Sequence, residues 1–171
     1  MRIPSILLLT IILFSGCAKE DSPTAAPRTA STTTESDLYL LGKNTAGFTF
    51  YKFSSDTITK GGNSAHPDPK LRTRYNAVAS KYLDANGKVK AGTVFPDSSL
   101  IVKELYTNSV LTTYVFLFKK KGDTNADANG WVWVETGPTG ATTFPASNKG
   151  AMCIGCHSTG IDFTRMNDTH P

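Results

Sequence analysis

Near the C-terminus the run Cys153-Ile154-Gly155-Cys156-His157 brings two thiols and an imidazole together. Thiols separated by two residues can reach the two vinyl groups of a haem when the segment is helical, and the next residue's imidazole then lies beneath the iron. The spacing predicts one covalently attached haem c, tethered by Cys153 and Cys156 with His157 as the metal ligand. Other readings fit less well. Zinc wants four ligands and usually a second Cys or His pair, which the chain lacks. A thioredoxin-like pair is expected near the front of a domain in a βαβ setting, and a plain disulfide needs no following His. An oxidised or metal-bound C-x-x-C is the remaining alternative.

A sixth iron ligand separates electron carriers from haems that bind small molecules. Met152 adjoins Cys153 and so falls on the proximal side, while Met166 lies in the short tail after His157 and would have to pass round the ring edge. His66 and His170 are the other candidates, each read first as a surface or loop histidine. The pattern favours five-coordinate iron with an open distal face, a haem that takes small ligands.

These residues need elements to hold them. Leu100 to Tyr106, Val110 to Phe118 and Trp131 to Glu135, with Val94 and Phe95 ahead of a Pro96-Asp97 turn, are rich in β-branched and aromatic residues and are separated by polar loops, which predicts strands of an antiparallel sheet. Between Arg74 and Gly87, Tyr75, Val78, Ala79, Tyr82 and Leu83 follow the i, i+3, i+4 spacing of an amphipathic helix. Leu38 to Leu41 and the aromatic stretch Phe48, Phe50, Tyr51 and Phe53 are apolar without a period that separates strand from helix. A short helix over Ala151 to His157 is expected to carry the cysteines. The fold class is α+β, a mostly antiparallel sheet with a few helices and a C-terminal helix bearing C-x-x-C-H.

At the other end, MRIPSILLLTIILFSGC has Arg2, an apolar run from Ile6 to Phe14, and Ser15-Gly16 before Cys17. The run is too short to span a bilayer comfortably and reads as a signal peptide over 1–16. Its small-small-Cys ending resembles a lipobox, with Cys17 acylated as a stable membrane anchor; the other reading is an ordinary signal with an incidental cysteine. Ala18 follows, so no inner-membrane retention aspartate is present, and the expected place is the bacterial outer membrane, on the periplasmic side. Residues 17–37, rich in Ser, Thr, Ala and Pro, read as a tether spanning about 25 Å, and 38–171 as one domain. The formal charge of +4 is mild. The densest basic run, Lys119 to Lys121, ends an apolar strand and reads as solvated side chains that blunt an edge, not as a nucleic-acid surface.

Within the folded part, GTVFPDSSLIVKELY (Gly92 to Tyr106), LRTRYN (Leu71 to Asn76), GWVWVE and the terminal CIGCH followed by DFTR resemble the cytochrome P-460 family, which includes cytochrome c-prime-beta, over about Leu38 to Pro171. The resemblance implies a homodimer, a five-coordinate haem, an electron-transfer partner, and a small gaseous or nitrogenous ligand such as nitric oxide or hydroxylamine. In hydroxylamine-oxidising members the Lys of V-K-E bonds to the haem, which corresponds to Lys103. Arg72 matches a distal arginine of that branch, with Arg74 the register alternative. The distal carboxylate of that branch would fall between Tyr114 and Phe118, where no acid occurs, so weak or no hydroxylamine oxidation is expected.

Lys103 can also be read from its strand. Ile101, Lys103 and Leu105 share one face and Val102 and Glu104 the other, so the lysine either snorkels at an edge or turns into a pocket. By the same alternation Trp131 and Trp133 share a face, as do Phe116 and Phe118. Both pairs read first as core, with one Trp or the Phe pair able to line a haem.

Overall fold

Alternating apolar side chains on three long neighbouring segments build the centre of the molecule, as the β-rich composition requires. The computed structural model describes residues 31–62 and 64–165. The expectations for the leader, Cys17, the first part of the tether, Met166 and His170 lie outside the described residues. The strands are β1 (Thr49–Phe50), β2 (Ile58–Thr59), β3 (Lys70–Tyr75), β4 (Leu100–Thr107), β5 (Val110–Lys119), β6 (Trp131–Thr136) and β7 (Thr142–Phe144). Among the described residues they form one antiparallel sheet in the order β1-β3-β4-β5-β6-β7, with β2 also paired to β3. Among the described residues two α-helices accompany it, α1 (Glu35–Gly42) and α2 (Ile154–His157).

The sheet buries both faces. On one, Leu71, Tyr75, Ile101, Leu105, Val115, Leu117, Trp131 and Trp133 pack against Tyr51, Ala79, Leu83, Val89 and Phe95 and the C-terminal segment from Cys153 to Phe163. On the other, Leu100, Val102, Phe116, Val132 and Val134 pack beneath Leu38 of α1. Phe116 belongs to this second core, with Phe118 against it, so neither approaches the cysteines.

Helix α1 starts inside the stretch read as tether. Thr34 caps it, its hydroxyl accepting from Asp37 N–H while the Asp37 carboxylate accepts from Thr34 N–H. Thr33 is buried, its N–H and hydroxyl donating to Asp123 at 2.8 and 2.6 Å. The domain therefore takes in residues ahead of Leu38.

The helix expected from Arg74 to Gly87 does not form. Arg74 and Tyr75 complete β3, and Asn76 Oδ1 accepts from the N–H of Ala79 and of Leu100, tying the chain back to β4. Asp84 Oδ1 accepts from Asn86 and Lys88 N–H and makes a turn, leaving a single 3₁₀ turn at Ala79–Tyr82. The apolar spacing described burial correctly, since Ala79 and Leu83 are in the core, but short polar side chains bonding to nearby backbone outcompete the helix. Val94 and Phe95 likewise lie in a loop, with Phe95 buried against Trp131. In the motif segment the α-helix is one turn, Ile154–His157, with Cys153 at its N-cap.

Lys119 departs from the solvated run expected of it. It is 1% exposed, pairs with Asp162 and lies over the Trp131 ring, while Lys121 is exposed.

Candidate functional site

The two cysteines and the histidine of the motif converge on a cavity of about 360 Å³ on the first sheet face, within the size range of small-molecule sites. Leu105 of β4, Thr113 and Val115 of β5, Trp133 and Glu135 of β6, and Thr143 and Phe144 of β7 form its floor. Met152 and the loop residues Ala65, His66 and Pro67 complete the rim, Met152 being largely exposed.

His157 is 6% exposed and lines this cavity. Its Nδ1 lies 2.8 Å from the Phe163 carbonyl. A carbonyl only accepts, so Nδ1 carries the proton, and in the neutral ring Nε2 keeps the lone pair. The Trp133 ring meets the imidazole edge-on, centroids 5.0 Å apart, and Trp133 Nε1 donates to Asp127 Oδ2 at 2.9 Å. Behind the indole, Gly150 has φ +70°, and a Cβ there would come 2.5 Å from Trp133 Cδ1. Glycine is required on both counts, and its carbonyl accepts from Cys153 and Ile154 N–H to begin the turn that carries the motif.

Cys153 is half-buried and Cys156 exposed, and neither is in a disulfide. Burial, followed by the charges of Glu135 and Cys156, pushes the Cys153 thiol up to about 12. Among the described residues no three His, Cys, Asp or Glu side chains are grouped to hold a metal ion.

Lys103 is buried on this same face of β4, opposite Thr73 on one side and Val115 on the other. It is turned inward and does not snorkel. Its Nζ has no hydrogen-bond partner, and burial, with the Arg165 charge second, lowers it to about 7. Thr73 Oγ1 and Tyr75 Oη, on the neighbouring strand and the same face, are also buried without partners. An unsatisfied buried polar group costs about 1–3 kcal/mol, and these three lie together on one face of the β3–β4 ladder.

Arg72 is not brought to this place. It lies opposite Glu104 on the other face of the sheet, its Nε 2.6 Å from Glu104 Oε2 and its guanidinium over Phe50 and Tyr106. Arg74 shares that face and carboxylate, with Nε 3.0 Å from Oε1, Nη1 on the Asn44 carbonyl at 2.7 Å, and Nη2 on the Gly42 carbonyl. Arg74 thereby caps the C-terminal end of α1 and fastens it to the sheet. In the register that pairs Arg72 with Glu104 and Thr73 with Lys103, Arg72 and Lys103 face opposite sides of the sheet.

Glu135 was missed as a site residue. Tyr114 to Phe118 contain no acid, whereas Glu135 sits across the ladder from Val115 and follows Trp131 and Trp133 at every second position of β6. That alternation was the available signal. Burial, then the nearby charge of Asp68, raises its carboxyl above the usual range. Asp68 in turn accepts from the Thr107 and Thr112 hydroxyls at 2.7 Å each.

In comparison with known proteins, the chain matches no family model and no curated protein.

Proposed function

We propose that this chain is an exported mono-haem c-type cytochrome of the cytochrome P-460 kind, with Cys153 and Cys156 tethering the haem, His157 ligating it, and an open distal face that binds or oxidises small nitrogen species such as nitric oxide and hydroxylamine. One observation carries the proposal: both thiols and an imidazole whose Nδ1 is committed to a backbone carbonyl line a single, largely apolar cavity. The residues present suit the group. The partnerless Lys103 amine, across the ladder from Val115 of the cavity floor, is the sort of buried donor that a bound cofactor would face.

When bound, haem supplies an iron that takes a small ligand and exchanges electrons. The chain's own part is positional. Phe163 orients His157, while Trp133, Val115, Leu105 and Phe144 give the cavity apolar walls that limit water. Glu135 offers, at the cavity floor, a carboxyl able to hold or release a proton, while weak or no hydroxylamine oxidation stays part of the proposal because Tyr114 to Phe118 lack an acid. Lys103 would present an amine, free or haem-linked. Export, the Cys17 lipid anchor at the outer membrane, a homodimer and an electron-transfer partner protein belong to the same proposal and rest on the sequence.

The second reading, a membrane-anchored electron carrier with a sixth ligand, gains one observation: His66 lies in the cavity wall. Absorption spectra of the mature protein, oxidised and reduced, together with its intact mass, separate the two. A five-coordinate, high-spin spectrum with rapid carbon monoxide binding is expected. A low-spin, six-coordinate reduced form would overturn the open-site reading, a mass below that of protein plus attached haem, by the hydrogens lost from the Lys103 amine and the haem carbon, would expose a Lys103 link, and absence of a haem-stained band would overturn both readings.

A further inference from the structure

The carbonyl that faces His157 belongs to backbone that cannot hold its shape unaided. Asp162 (φ 45°, ψ 46°) and Phe163 (φ 65°) both adopt the left-handed conformation, which is uncommon for L-residues and an outlier for one as bulky as Phe. Such a segment persists only where its surroundings over-determine it. Here they do. Lys119 Nζ donates to both Asp162 carboxylate oxygens at 3.0 Å, Phe95 N–H donates to Oδ2 at 2.8 Å, and Trp131 Nε1 donates to the Asp162 carbonyl at 2.9 Å. The Lys119 and Asp162 side chains are 2% and 9% exposed, and the ammonium lies 4.7 Å from the Trp131 ring centroid. Gly160 closes the loop from the other side, since a Cβ there would fall 2.2 Å from Arg165 N.

A buried ion pair is a weak device for stability alone, because apolar residues of similar volume often serve as well; its stronger use is to specify a conformation. We propose that Lys119 and Asp162 are a positioning pair for the iron ligand. By locking the left-handed turn they keep the Phe163 carbonyl on His157 Nδ1, which holds the plane of the ring and makes its other nitrogen a stronger donor. Outer partners of metal-bound histidines commonly act in this way. The chain of contacts runs from the end of β5 through Asp162 to the imidazole. It rests on the reading of His157 as haem ligand.

The test uses the haem-loaded protein and the variants Asp162→Asn, Lys119→Met and, as the conservative change, Lys119→Arg. Resonance Raman of the reduced form reads the iron–histidine stretch, and a redox titration reads the midpoint potential. Asp162→Asn and Lys119→Met are expected to move the stretch to lower frequency and the potential to more positive values, with Lys119→Arg returning both toward the wild-type figures. Unchanged stretch and potential in variants that keep the wild-type circular dichroism would overturn the proposal and leave the pair a purely structural one. Should the two disruptive variants not fold, the carbon monoxide complex of the wild-type protein decides by proton NMR: a slowly exchanging His157 Nδ1 proton is required, and rapid exchange refutes the lock. Wild-type protein without a haem-stained band would instead defeat the underlying reading of the site.

Discussion

Replacing Lys103 with Met removes an amine and leaves an unbranched chain of similar volume, so the effect reads the charge and not a cavity. In the fold Lys103 is buried without a hydrogen-bond partner and titrates at about 7, against an ordinary value of 10.5. The unfolded chain therefore binds the proton more tightly, and stability rises with pH between those two values. Above 10.5 the amine is neutral in both states and its charge costs nothing. As pH falls the penalty grows, reaching its full size below 7, where the folded protein must bury an ammonium. At about 1.4 kcal/mol per pH unit, a drop from 10.5 to about 7 corresponds to about 5 kcal/mol. Lys103→Met should thus be more stable than wild type by about 5 kcal/mol at pH 6 and by about 2 kcal/mol at pH 9. Urea denaturation of both proteins across that range measures it, after intact mass has shown the amine to be unsubstituted, and other titrating groups cancel in the difference. A stability advantage equal at pH 6 and pH 9 would refute the argument, as would a wild-type protein more stable than the variant at pH 6.

Three further outcomes follow from the geometry. Arg74→Met leaves the Glu104 carboxylate short of a partner at its buried end and should cost about 3–5 kcal/mol in chemical denaturation, while the absorption spectrum stays unchanged because the network lies on the opposite face of the sheet. Gly150→Ala drives a methyl group into Trp133 at a positive φ; a loss of about 1–3 kcal/mol and a lower haem-to-protein ratio are expected, and a variant indistinguishable from wild type by both measures would contradict the packing described for His157. Glu135→Gln should match wild-type stability near pH 4 and exceed it at pH 7. The folded carboxyl titrates above its ordinary 4.5, so the wild-type protein loses stability as pH rises through that window, and the amide does not; parallel stability curves for the two proteins would sink this.

Much of the molecule was legible before any fold was in hand. The C-x-x-C-H spacing is a property of consecutive residues, so the grouping of Cys153, Cys156 and His157 needs no tertiary information. The strands of β4, β5 and β6 announce themselves through β-branched and aromatic runs, and alternation along β4 correctly separated Lys103 from Glu104. What periodicity left open was which faces meet. Arg72 and Lys103 lie on different strands, and only the register that sets Arg72 opposite Glu104 places them on opposite sides of the sheet. The same ladder brings Glu135 to the cavity by pairing it with Val115. Lys119 ends a strand as one of three lysines, and nothing local separates the buried one from the exposed one; its partner Asp162 lies far along the chain, in a turn whose left-handed backbone exists because the rest of the structure holds it. Local sequence, then, determined the chemistry-bearing motif and the strand alternation, because both depend on neighbouring residues. Tertiary structure alone decided which charges are buried, which acid joins the cavity and what holds His157, because those depend on pairing register and on contacts between residues distant in the chain.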